Sequence, residues 1–290
     1  MKKTIPASEL IINPDGTCFH LHLHPSQLTD NIILVGDPGR VDMVAEFFDT
    51  RDFEVSSREF HTIGGTDKGK PVMCLSHGIG PDNIDIVINE LDALANIDFD
   101  TREVHDTLRS LTMVRIGTSG SLQPELKIGT PVIASRSIGF DGVLNYYAGR
   151  NEVSDLDFEE NFCNHVGWNP TWARPYVAEA DKTLVEQIGG DDMVRGCTIS
   201  AVGFYGPQGR ELRLPLSNPD LNSRIETFRY DGQPVTNYEM ESAPLQGLSL
   251  LMGHRAMTVC SIIANRMCHE AAPNYKTAMP DLIRTVLDRI

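Results

Sequence analysis

The run Ile32-Ile33-Leu34-Val35, closed at once by Gly36-Asp37-Pro38-Gly39, limits the possible folds more than any other feature of the chain. It contains no polar position, so neither side of an extended segment there suits water. It fits a strand buried on both faces, which needs a layer of structure on each side. Pro38 pre-sets φ for a first helical turn, and Val41, Val44, Ala45 and Phe48 recur at helical spacing.

The alternation continues. Phe53-Glu54-Val55, Glu59-Phe60-His61-Thr62-Ile63 and Val72-Met73-Cys74-Leu75-Ser76 read as strands, with a turn at Gly64-Gly65. Ile84, Val87, Ile88, Leu91 and Leu94 mark an amphipathic helix. Further strands are expected at 113–117, 131–135, 196–202, 235–238 and 256–264, with helices from Ser242 and from about Tyr275. Residues 141–193 read as an irregular surface excursion over the site, and 1–30 as an N-terminal arm. Strands alternating with helices predict α/β layers. No Pro/Ser-rich linker or repeat divides the 290 residues, so one domain over 1–290 is expected.

The net charge of −15 argues against nucleic acid as a partner, because duplex binding rests on Lys and Arg neutralising phosphates. A small anion is still allowed, since charges beyond a Debye length of about 8 Å are largely screened. No apolar run approaches the roughly 18 residues of a membrane span, and none of signal-peptide length follows the basic start. The six cysteines form no C-x-x-C pair, which suits reduced thiols and a cytoplasmic location.

Four stretches imitate known motifs. His269-Glu270 lacks the second histidine of a zincin, and Gly78-Ile79-Gly80-Pro81 lacks the spacing of a dinucleotide loop and reads as a glycine turn at a strand end, leading into the next helix. Gly64 to Lys70 has P-loop glycine spacing, but Pro71 stands where a magnesium-binding hydroxyl belongs, and a hairpin turn is the better reading. In an extended strand His20, His22 and His24 would share one face. Three histidines can hold zinc, but no matching Cys, Asp or Glu cluster is identifiable, so polar edge or interface residues are expected.

Four separated segments place special residues at strand ends. Gly36 lets an oxyanion approach backbone N–H groups at a helix start, and Arg40 adds a fork that matches phosphate; the competing reading is an ordinary strand-to-helix turn. Arg115 lies in an apolar strand, where it is costly unless paired with an anion, and Gly117-Thr118-Ser119-Gly120 follows as a hydroxyl-rich turn. Its competing reading is an arginine answering a buried Asp or Glu. Phe204, Gln208 and Arg210 can stack on and hydrogen-bond a flat heterocycle, or form a plain polar loop. Glu239-Met240-Glu241 can hold the vicinal hydroxyls of a ribose, with Met240 on its apolar face, or supply a helix-start acid.

Together these segments resemble the nucleoside phosphorylase family that includes uridine phosphorylase. The resemblance runs from about Phe19 to the C-terminus and rests on G-D-P-x-R at 36–40, R-I-G-T-S-G at 115–120 and N-Y-E-M-E-S-A at 237–243. It implies a three-layer α/β/α sandwich with a mixed, distorted central sheet. It implies phosphate binding by Gly36, Arg40, Arg115 and Thr118, with Arg58 reaching the phosphate from a neighbouring subunit. His20, also from the neighbour, Met240 and Glu241 would hold the ribose. Phe204, Gln208, Arg210 and Arg266 would hold the base. Glu59 and Ser76 match a monovalent-cation (potassium) site of some members; no other cofactor is implied, and phosphate is a substrate.

The F-x-x-x-Q-x-R pattern at 204–210 is of the uridine type, and 262–267 lacks the aspartate that purine-specific members use. Arg210, Gln208 and Glu241 are therefore expected to carry the chemistry, with charge developing on the departing uracil. A homodimer is the implied minimum, and a hexamer of three dimers also occurs in the family. Gly209, Ser121 and Pro244 depart from the usual motifs. A purine nucleoside phosphorylase, a nucleosidase and a non-catalytic nucleoside- or phosphate-binding module are the competing functions.

Overall fold

The computed structural model describes residues 4–272, 277 and 279–290. Its strands are β1 (Asn31–Val35), β2 (Thr50–Ser57), β3 (Phe60–Asp67), β4 (Lys70–Ser76), β5 (Ile97–Asp98), β6 (Glu103–Val104), β7 (Thr112–Ser121), β8 (Pro131–Gly139), β9 (Tyr176–Glu179), β10 (Val194–Ser200), β11 (Arg229–Tyr230), β12 (Gln233–Glu239), β13 (Arg255–Asn265) and β14 (Glu270–Ala271). The helices are α1 (Pro38–Ala45), α2 (Pro81–Asn96), α3 (Leu156–Val166), α4 (Lys182–Ile188), α5 (Leu221–Thr227), α6 (Ser242–Met252) and α7 (Met279–Arg289). The expected start of the last helix, near Tyr275, lies outside the described residues.

The main sheet runs β11-β12-β10-β8-β13-β7-β1-β4-β3-β2, with β9 added to β8 and β14 to β13. β1 pairs in parallel with β4 and β7, while β8 meets β13 antiparallel. β12 pairs with both β10 and β7, so β12-β10-β8-β13-β7 closes into a ring. That closure is the distortion of the mixed sheet. Register shifts at Gly196/Cys197 and Ile262/Ala264 bend the strands that make it.

β1 is buried on both faces, as its composition requires. Ile32 and Leu34 join a core with Ile84, Val87, Ile88 and Leu91 of α2 and with Leu245 and Leu248 of α6. Ile33 and Val35 join the opposite core with Val41 and Val44 of α1, Leu184 of α4 and Ile283 of α7. The two helical layers and the sheet between them form the expected α/β/α sandwich. Each such aliphatic side chain contributes about 1.5–3 kcal/mol when fully buried.

Four local expectations are corrected. Gly64-Gly65 lies within β3, and the turn falls at Lys68-Gly69, both left-handed. The glycines are needed because a Cβ on Gly64 would stand 2.1 Å from the Phe53 ring and one on Gly65 1.9 Å from the Thr50 carbonyl oxygen. Residues 141–193 are no irregular excursion: they supply α3, β9 and α4, and Phe158 and Phe162 form a third core with Phe140 and Tyr238. The segment 117–120 is no turn, because β7 continues to Ser121 along β12 and β13.

The histidine run is not a strand either. The Cys18 N–H donates to the Leu23 carbonyl at 2.9 Å, and His22 takes a φ of 54°. The imidazoles have separate settings: His20 meets Glu90 at 2.6 Å, and His24 meets Ser26. Cys18, Leu21, Leu23 and Leu28 bury this part of the arm in the core with α2.

Candidate active site

The site begins where β1 ends. Asp37 caps α1 by accepting the Gly39 N–H at 3.0 Å, and Pro38 occupies the first turn. This local chemistry places Gly36 at the strand end and buries Arg40 in the first turn, where Nη1 donates to the Ile116 carbonyl at 3.3 Å. β7 lies beside β1 with Arg115 opposite Leu34. Arg40 and Arg115 are thereby brought to one place from segments far apart in the chain. Thr118 lies three residues further along β7, opposite Ser261.

Arg115 is buried and held on three sides. Nη1 meets Glu239 at 2.9 Å, Nη2 donates to Glu241, and Nε donates to His77 Nε2 at 3.1 Å. Burial works against its charge, but Glu241 and Glu239 outweigh burial and hold its pKa above the ordinary value. Glu241 is buried too, and burial pushes its carboxyl above the usual range while Arg115 pulls it back. The Glu241 carboxylate also accepts the Gly80 N–H at 2.8 Å. Gly80, with a φ of 101°, introduces α2.

Glu239 braces the β12–α6 corner. It accepts from Ser200 Oγ at 2.5 Å and from the Glu241 and Ser242 backbone N–H groups at 2.8 and 3.0 Å. Three of the fork's five donors are met by these neighbours, and Cys260 Sγ is 3.5 Å from Nη1. A guanidinium with five N–H donors still has one to offer an anion. The arrangement thus satisfies both readings of Arg115: it answers buried acids, and it remains available to an oxyanion.

The residues expected to hold the base gather in the loop after β10. Arg210 stacks 3.8 Å from the Phe204 ring centroid and donates through Nη1 to Gln208 Oε1 and the Phe204 carbonyl, each at 2.5 Å. Gln208 is buried, whereas Phe204 is half exposed. Arg266 donates to the backbone carbonyls of Gln208 and Gly209, clamping the loop. Burial lowers the pKa of Arg210, with Arg266 adding to the effect. Gly209 has a φ of 69°, and a Cβ there would stand 2.2 Å from Asn222 Nδ2. Glycine at this departure from the usual pattern follows from that geometry.

A cavity of about 800 Å³ borders this loop, lined by Asp141, Trp168, Trp172, Tyr205 and Arg210 among others. Burial pushes Asp141 up to about 6, although it accepts the Tyr176 hydroxyl at 2.9 Å. The cavity lies at the loop after β10, and the Arg40–Arg115–Glu241 cluster is not among its lining residues.

His20 and Arg58 are gathered around Phe19. The Arg58 guanidinium stands 6.0 Å from the Phe19 ring centroid, and the His20 ring 4.7 Å from it. Arg58 occupies the β2–β3 turn with a φ of 56°. In the same turn the Glu59 carbonyl accepts from Ser76 Oγ at 2.7 Å. Met240 lies between Glu239 and Glu241 and is half-buried.

The sequence motifs do not single out His77 or Ser200. His77 carried one signal, an imidazole directly after an apolar strand and before a glycine turn. Gly80 lies in the glycine turn between β4 and α2 and introduces that helix, whereas Ser200 contributes through its position in the fold, which neighbouring residues do not disclose.

An α/β/α sandwich that buries an arginine fork against two carboxylates, beside a glycine turn and an Arg/Gln-bearing loop, defines a protein equipped for an anion and a polar, ring-bearing ligand. The chain belongs to the phosphorylase superfamily, whose family model matches residues 30–287. It is 31% identical over 268 residues to the uridine phosphorylase of Escherichia coli, covering 89% of this chain and 90% of that protein. It is 28% identical over 262 residues to the uridine phosphorylase of Thermococcus kodakarensis, covering 88% and 80%. Among solved structures, a Trypanosoma brucei nucleoside phosphorylase described as showing uridine phosphorylase activity superposes with a TM-score of 0.87, at 26% identity, over 97% of this chain and 98% of that one. No helix among the described residues is long and apolar enough to cross a membrane.

Proposed function

We propose that this protein is a uridine phosphorylase, a pentosyltransferase that converts uridine and phosphate reversibly into uracil and ribose 1-phosphate in nucleoside salvage. The observation that carries the reading is the buried hydrogen bond between Arg115 and Glu241. It sets an anion-binding fork directly against a carboxylate suited to ribose hydroxyls, as attack by phosphate on C1′ requires. The relatives described as uridine phosphorylases support the same conclusion.

In this mechanism Gly36, Arg40, Arg115 and Thr118 hold phosphate, and Glu241 and Met240 hold the ribose. The glycosidic bond loosens toward an oxocarbenium-like state, and phosphate itself is the nucleophile. Negative charge moves onto the uracil, where Gln208 and Arg210 stabilise it, with Phe204 stacking on the ring and Arg266 holding the loop. The lowered pKa of Arg210 reflects burial, and a desolvated donor interacts more strongly with developing charge.

Arg58 and His20, side by side around Phe19, serve a partner's site in this reading, so the functional unit is at least a symmetric dimer. The Glu59 carbonyl and the Ser76 hydroxyl stand 2.7 Å apart, oxygens of the type that hard cations take. A potassium ion there would steady the turn that carries Arg58. The reading places the enzyme in the cytoplasm.

A panel of pyrimidine and purine nucleosides, assayed with and without phosphate, tests the proposal. Uracil release from uridine that depends on phosphate is expected. Base release without phosphate would instead indicate a nucleosidase, and preference for inosine a purine enzyme. Binding without release of any base would indicate a non-catalytic module.

A further inference from the structure

His77 follows β4 directly. Its backbone N–H donates to the Val35 carbonyl at 2.8 Å, which ties it to the end of β1 beside Gly36. The side chain is fully buried. Arg115 Nε lies 3.1 Å from His77 Nε2. A guanidinium only donates, so Nε2 must be the bare nitrogen and Nδ1 must carry the proton. That Nδ1 is buried and makes no hydrogen bond of ordinary geometry; the Gly78 backbone favours its proton but does not complete the bond, and a buried donor met so poorly costs stability unless a ligand answers it.

The ring edge faces the glycine turn. A Cβ built on Gly36 would stand 3.7 Å from His77 Cε1, the carbon between the two nitrogens, and 3.3 Å from the Gly78 carbonyl oxygen. Glycine at 36 keeps this side of the imidazole uncovered. Arg115 from β7 meets the ring and the charge of Arg40 from α1 reaches it, with Glu239 and Glu241 beyond the Arg115 fork. Burial, then the charges of Arg115 and Arg40, hold the imidazole pKa well below its usual range. The ring therefore stays neutral near pH 7 and can accept at one nitrogen while donating at the other.

We propose that His77 is a phosphate-binding residue: its Nδ1–H donates to the inorganic phosphate held by Gly36, Arg40 and Arg115, while its Nε2 fixes the Arg115 guanidinium. The assignment rests on the reading of this cluster as a phosphate site. A neutral donor adds a hydrogen bond to the anion without a third positive charge beside two arginines.

Calorimetric titration of inorganic phosphate into the full chain, as wild type, His77→Leu and His77→Gln, tests it. His77→Leu should bind phosphate about tenfold more weakly or worse. His77→Gln, whose amide both accepts and donates, should stay within about threefold of wild type, and uridine affinity should change less than about twofold in either. Equal phosphate affinity in wild type and His77→Leu would overturn the assignment, as would an equal loss for uridine.

Nitrogen-15 NMR supplies a reading that does not need the leucine variant to fold. The His77 Nδ1 resonance, recognised by its absence from His77→Gln, should move as phosphate is added to wild type, and a fixed resonance overturns the proposal. Uracil release by wild type, measured alongside, separates the two claims. A moving resonance without phosphorolysis refutes the enzymatic reading alone. Phosphorolysis with a fixed resonance refutes the role of His77 alone.

Discussion

Arg115 and Glu241, 126 residues apart in the chain, hydrogen-bond directly within the buried site. One belongs to the motif read for phosphate and the other to the motif read for ribose, so the two substrates would meet across a single pair. Removing one partner of a buried ion pair typically costs about 3–5 kcal/mol, because the other charge is left uncompensated. Arg115→Met should lose about that much stability in urea unfolding. Adding Glu241→Gln to it should restore at least about 1 kcal/mol. Strict additivity of the two substitutions would contradict the coupling.

Arg210 is aligned by Gln208 and by the Phe204 ring. Loss of one donor to developing negative charge typically costs about 2.7–4 kcal/mol of transition-state stabilisation. Arg210→Ala should therefore lower kcat/KM for uridine roughly 100- to 1,000-fold. A fall smaller than about threefold would remove Arg210 from the chemistry.

Gly209 is left-handed and abuts Asn222, which itself donates to the Gln208 carbonyl at 3.1 Å. Gly209→Ala should displace this loop, raising KM for uridine about tenfold while the phosphate KM stays within about twofold. Equal effects on both substrates would show that the disturbance is not confined to the base loop.

Asp141 reaches a pKa of about 6 through burial, against an ordinary value of 3.8. The folded state thus holds its proton more tightly than the unfolded chain does. The stability this provides is fully present below about pH 4 and is lost as pH rises through about 6. Relative to Asp141→Asn, wild type should lose on the order of 3 kcal/mol between those limits. A difference that stays flat with pH would refute the shifted pKa.

Arg58 and His20 sit together around Phe19. If they complete a partner's site, Arg58→Ala and Arg115→Met should each be nearly inactive. Mixed and reassembled, they should recover about a quarter of wild-type activity, because half of the sites in each heterodimer are intact. No recovery after verified exchange of subunits would mean that the sites are not shared.

The sequence disclosed features whose cause is local. Four consecutive apolar residues closed by a Gly-Asp-Pro-Gly turn suit a strand covered on both sides, and β1 is one. The Asp37-Pro38-Gly39 capping chemistry likewise marks the start of α1. Gly64-Gly65 misled because glycine pairs usually serve turns, whereas here they make room for Phe53 and the β2 backbone. The core role of 141–193 was obscured because Phe158, Phe162 and Tyr176 lie among many acids and two glycine-led turns. The base loop was readable from Phe204, Gln208 and Arg210, which act within seven residues of one another. The partners of Arg115 were not, since His77, Glu239 and Glu241 reach it through the pairing of β1, β4, β7 and β12.

The central claim is that phosphate, and not water, takes the ribose. Phosphorus-31 NMR of the wild-type reaction with uridine and inorganic phosphate tests it most directly. Ribose 1-phosphate should appear in step with free uracil, one for one, and both should stop when phosphate is withheld. Uracil accompanied by free ribose, with the phosphate signal unchanged, would contradict the account.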